Sequence, residues 1–170
     1  MTILFYISAA VALVATLLVI TRVHAVHALL YFIVSLLAVA VIFFLLGAPF
    51  IAALEVIIYA GAIMVLFVFV IMMLGIDREA VAEERQWYSP RAWLGPAALG
   101  AVLLGEVAYL IGTGAGTAAG QAVVGPAEVG AALFGPYAIG VELASLLLLA
   151  ALVSAYHLAR PNPPHTGEEA

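Results

Sequence analysis

The chain has 170 residues, 67% of them hydrophobic and only 9% charged, with a formal net charge of −5. Soluble domains carry about 25% charged and 45–50% apolar residues, so this composition excludes a water-soluble globule and points to an integral membrane protein. The chain has no Cys and no Lys. That excludes disulfides, thiolate-held zinc, iron–sulfur clusters, Schiff-base chemistry and a P-loop lysine. Five Arg against ten acidic residues leave no basic patch for nucleic acid.

A helix needs about 20 mostly apolar residues to cross the hydrocarbon core. The first such stretch is Thr2–Ile20. It has no positive n-region and is longer than the apolar core of a signal peptide, which argues for a retained span. Thr21–Val26 follows, then a second span, His27–Leu46. His24 and His27 are three apart, but two ligands alone make a weak metal site, so they read as interfacial residues and no metal is expected. Gly47–Pro49 is a turn and Phe50–Leu74 a third span. The charged stretch Gly75–Arg91 contains Asp77-Arg78-Glu79 and Glu83-Glu84-Arg85, a solvated face or a docking surface. Trp87, Tyr88 and Trp93 read as an aromatic belt. The fourth span is Ala92–Ile111, followed by the Gly-rich stretch Gly112–Pro136, read as a flexible loop. Its GTGAGTAAG run, Gly112–Gly120, does not match a phosphate-binding GxGxxG. Tyr137–Leu158 is the fifth span, and residues 161–170 form a polar tail read as disordered.

Runs such as Leu66-Phe67-Val68-Phe69-Val70-Ile71 do not alternate in polarity, which excludes β-barrel strands. The expected fold class is therefore all-α integral membrane, a single five-helix membrane domain over residues 1–160. Arg22, Arg78, Arg85, Arg91 and Arg160 all fall on one side of such a bundle. The positive-inside rule makes that side cytoplasmic, with the N-terminus outside and the C-terminus inside.

Three acidic residues fall within spans, Glu55, Glu106 and Glu142, each sixth from the outer end of its helix. At 1.5 Å per residue this puts them in one layer about 7–8 Å deep. An acidic residue in a span costs a few kcal/mol on insertion scales and needs a reason. Snorkelling to the interface is one reason and proton handling another. Tyr59 lies four residues beyond Glu55 on the same helical face, a pair suited either to holding a water and passing a proton or to an ordinary buried hydrogen bond. Small residues recur at Ala97, Ala101 and Gly105, and at Gly140, Ala144, Ala151 and Ala155. Packed inward, these stripes turn Glu106 and Glu142 out of the bundle toward other subunits. In the third span Ala60-Gly61-Ala62 is a weak point above bulky residues including Met64 and Phe67, a place for either close packing or a π-bulge.

The segment LEVIIYAGAIMVLFVFVIMML, Leu54 to Leu74, resembles the third-helix signature of subunit J of bacterial respiratory complex I, the proton-translocating NADH:quinone oxidoreductase, and its mitochondrial counterpart, chain 6. The resemblance extends through Val26–Phe50, through ERQW at Glu84–Trp87 and through LFGPYAIGVELASLLLLA at Leu133–Ala150. It implies a multi-pass subunit of the bacterial inner membrane, without a redox site of its own, in an enzyme that uses NADH, FMN, iron–sulfur clusters and quinone on other subunits. Implied partners are the quinone-site H-type, K-type and A-type subunits, the antiporter-like subunits and the lipid bilayer. It further implies that the third helix changes between bulged and regular forms to gate a hydrated proton path. Glu55, Tyr59, Gly61, Met64 and Val65 are the matching residues, with Glu106 and Glu142 as secondary carboxylates. A purely structural subunit of the same complex is one alternative. A component of an unrelated cation or proton antiporter is another, disfavoured by the absent Lys and the off-centre carboxylates.

Overall fold

A computed structural model describes residues 1–22, 25–74, 90–114 and 123–160. All regular structure among them is helical: α1 (Thr2–Thr21), α2 (Ala25–Leu45), α3 (Pro49–Leu54), a π-helical segment (Glu55–Ile63), α4 (Met64–Leu74), α5 (Pro90–Thr113), α6 (Pro126–Phe134) and α7 (Ala138–Ala159). Five helical stretches are long and apolar enough to cross a membrane, Thr2–Thr21, Ala25–Leu45, Pro49–Ile71, Trp93–Thr113 and Ala138–Ala159. They coincide with the five expected spans to within a few residues. His24, the mixed-charge stretch with Trp87 and Tyr88, most of GTGAGTAAG and the tail lie outside the described residues.

The chain divides into two compact units, residues 1–125 and 126–170. In the first, α1 and α2 form a hairpin, and α5 packs against both. The interface residues recur at helical spacing: Ser8, Val11 and Ala15 on α1; Tyr31, Val34, Ser35, Ala38 and Val41 on α2; Leu103, Glu106 and Leu110 on α5. Ser8, Ala15 and Ala38 have no exposed surface at all. Small side chains here let the α1 and α2 backbones approach, which is how membrane helices gain packing without a hydrophobic driving force between them. Thr16 Oγ1 and Ser35 Oγ, 2.8 Å apart, add a hydrogen bond across the hairpin. Toward the hairpin's closed end the Arg22 guanidinium lies 5.4 Å from the centre of the Tyr31 ring, a favourable cation–π contact.

The turn from α2 to α3 shows why Gly47 stands there. Its φ of 84° lies in the left-handed region, where glycine carries no Cβ penalty. Gly47 N–H donates to Phe44 O at 3.1 Å and Ala48 N–H to Phe43 O at 3.0 Å, which satisfies the last carbonyls of α2. Pro49 then opens α3, where its missing N–H costs nothing. Val124 N–H donates to Gly47 O at 2.9 Å, tying the chain beyond α5 to this turn.

The second unit contains α6 packed on α7. The sequence placed residues 126–134 in a flexible loop; they form a helix instead. Pro126 opens it, and Glu128 in its first turn suits the positive end of the helix dipole. The Gly count of the surrounding stretch concealed those start signals.

Candidate functional site

The third span is wound in three parts, regular, wide and regular. At the exit of the wide part, Met64 N–H bonds to Tyr59 O, five residues back rather than four. Gly61 sits inside this winding. A Cβ there would lie 3.2 Å from Val56 O, also five residues back, so even a methyl group makes that carbonyl shift by a few tenths of an ångström. The weak point read at Ala60-Gly61-Ala62 is thus part of a π-helical stretch running from Glu55 to Ile63. π-Helical winding is rare and, as bulges within α-helices, is frequent at functional sites.

Side-chain placement along the segment is uneven. Met64 is 2% exposed, whereas its neighbour Val65 is 64% exposed. Tyr59 is exposed and Glu55 half-buried. Among the described residues no hydrogen bond joins Glu55 to Tyr59, although both lie on the same span. The α2 helix packs against both the π-helical segment and α4. Between α2, the third span and α5 runs an apolar groove of about 750 Å³, lined by residues including Leu37, Phe44, Ala52, Val56, Leu103 and Val107. Val56 belongs to the wide winding, so the groove and that winding share a wall.

The two secondary carboxylates differ. Glu142 is exposed on α7. Glu106 is not turned out of the bundle: it is 5% exposed, and Ser8 Oγ donates to its Oε2 at 2.7 Å. The small-residue stripe that implied the opposite, Ala97, Ala101 and Gly105, is exposed. Leu103 and Leu110, three before and four after Glu106, enter the core with it, and their apolar area sets the rotation of α5. Sequence reasoning missed Ser8, whose signal was one of the few hydroxyls within the apolar α1. It also missed the contact of Tyr31 with Gly95, where a Cβ would collide with the tyrosine hydroxyl. No group of three or more His, Asp or Glu able to hold a metal occurs among the described residues.

Comparison with known proteins agrees with the signature in the third span. The family NADH-ubiquinone/plastoquinone oxidoreductase chain 6 matches residues 15–158. NADH-quinone oxidoreductase subunit J of Pseudomonas aeruginosa is 56% identical over 159 residues, 93% of this chain and 96% of that one. The subunit J of Escherichia coli K12 is 52% identical over 157 residues, covering 92% and 85% of the two chains. That of Rhodobacter capsulatus is 36% identical over 160 residues, covering 89% and 77%. With the family match running from residue 15, near the end of the first span, to residue 158 in the fifth, the chain belongs to the chain 6 family, and it is a membrane subunit of NADH-quinone oxidoreductase, respiratory complex I.

Proposed function

We propose that this subunit couples quinone reduction, carried out on other subunits, to proton translocation, with the third span as a conformational gate on a hydrated path. The observation that carries the reading is the π-helical winding from Glu55 to Ile63. Gain or loss of one residue in that winding turns everything beyond it by about 100°. Such a turn exchanges buried Met64 for a sequence neighbour and moves an apolar plug into or out of the path. A bulky apolar constriction breaks a water wire by dewetting. Tyr59 and Val65, exposed in this chain, then face other subunits, and Glu55 supplies the titrating group. In this reading the N-terminus lies outside and the C-terminus in the cytoplasm of a bacterial inner membrane. The H-type, K-type, A-type and antiporter-like subunits are the neighbours, and NADH, FMN, iron–sulfur clusters and quinone are all held elsewhere.

The test is Gly61→Leu in the assembled complex. The branched side chain meets the Val56 carbonyl and biases the winding, so insertion and assembly are retained while proton pumping, measured in proteoliposomes, is lost. Normal pumping by an assembled Gly61→Leu complex refutes the gate. A third span with the same backbone in structures with and without a quinone-site ligand assigns the subunit to scaffolding instead.

A further inference from the structure

Between α1 and α5 the chain encloses a carboxyl group away from the π-helical segment. Glu106 is 5% exposed and its partner Ser8 is fully covered. Ser8 Oγ donates to Glu106 Oε2 at 2.7 Å, while Oε1 is equally enclosed and has no hydrogen-bond partner. Among the described residues no cation pairs with it. The titratable and charged groups on the surrounding elements do other things. On α1 Tyr6 is exposed and on α5 Tyr109 is exposed. On α2 the Tyr31 hydroxyl lies against Gly95, with Arg22 stacked over its ring. The Thr16 and Ser35 hydroxyls bond to each other and to Ala12 O. Counting from Thr2 and from Thr113, the pair lies about 10 Å inside the helix ends, within the hydrocarbon layer.

Among the described residues, an ionised carboxylate in this position has one neutral donor, no counter-charge and an unsatisfied oxygen. Each of those deficits is expensive in a low-dielectric interior, whereas a neutral acid keeps the Ser8 bond and sheds the charge. We propose that Glu106 and Ser8 form a proton-binding site between α1 and α5, which holds its proton while the two helices are in contact. Ser8 is the positioning residue, fixing Oε2 as the acceptor. Release breaks the O–H bond on the other oxygen and passes the proton to water, and this requires the α1–α5 contact to open. The proposal is independent of gating in the third span.

Infrared difference spectroscopy on the assembled complex tests it. Wild type minus Glu106→Gln is expected to show the carbonyl stretch of one protonated carboxylic acid, exchanging slowly in deuterated water. Ser8→Ala is expected to retain that band but move it to higher frequency, because the hydrogen bond to the carbonyl oxygen is gone. If wild type and Glu106→Gln differ in carboxylate bands and not in the acid region, the proposal is overturned. Where Glu106→Gln fails to assemble, an acid region unchanged by Ser8→Ala overturns it equally.

Discussion

Gly95 and Tyr31 show how a single atom decides a position in this chain. The tyrosine hydroxyl occupies the space that a Cβ at residue 95 would need, and Tyr31 is 3% exposed, with little room to move aside. Gly95→Ala is therefore expected to destabilise the first unit by about 1–3 kcal/mol, the usual range for overpacking. Thermal unfolding of the purified complex, or the amount assembled in membranes, reads this directly; an unchanged transition contradicts the packing described. For Glu55 the expectation concerns chemistry. Glu55→Gln keeps shape and removes charge, so it should lower pumping more than it lowers assembly, and equal pumping per turnover in the variant makes Glu55 structural. At this scale the sequence exposed charges more readily than contacts. Glu55, Glu106 and Glu142 were visible because an acidic residue in an apolar span stands out. The Ser8–Glu106 bond was not, because it joins residues 98 apart. The stripe of small residues misled because it marks where a backbone can come close, and Leu103 and Leu110 gained more by burial.

The third span is the element whose winding departs from a regular α-helix. A turn closed five residues back holds one residue more than a turn closed four back, so the wide segment stores an extra residue. Deleting one exposed residue within it, such as Ile57, should let the helix run regularly from Pro49 while leaving Met64 and α4 in register with α2. Assembly is expected to persist and proton translocation to fall, as measured by pumping against NADH oxidation in the same vesicles; pumping at the normal ratio shows that the wide winding is dispensable. The sequence pointed to the place, Ala60-Gly61-Ala62, but not to the extent. Hydrogen-bond register is a backbone property, and a segment apolar on every side fits either winding. The same limit applies to α6, whose Pro126 and Glu128 were legible start signals in a stretch dominated by glycine.

For the molecule as a whole, bilayer thickness did the work that a core pattern does in a soluble protein. Spans must be about 20 residues long to cross, so their number and limits were legible from apolar length alone. Which faces meet was not, since apolar residues surround each helix and no buried stripe distinguishes them. The fifth span illustrates this, with no buried residue along Ala138–Ala159. Orientation is testable here with unusual clarity because the chain has no Cys. With labelling read on this subunit after it is separated from the rest of the complex, Thr2→Cys should react with an impermeant maleimide added to intact spheroplasts, and Ala170→Cys only after lysis. The reverse pattern inverts the topology.

The bond from Val124 N–H to Gly47 O gives the third span a fixed end. It clamps the turn from which the third span departs, and Pro49 stiffens the first step. At the far end α4 is bare from Val65 to Val70, held in this chain chiefly through Met64. A screw gripped at its head delivers all its torsion at the tip. Under the proposed gating, rewinding between Glu55 and Ile63 is therefore felt as rotation of α4, and the opposite end stays still.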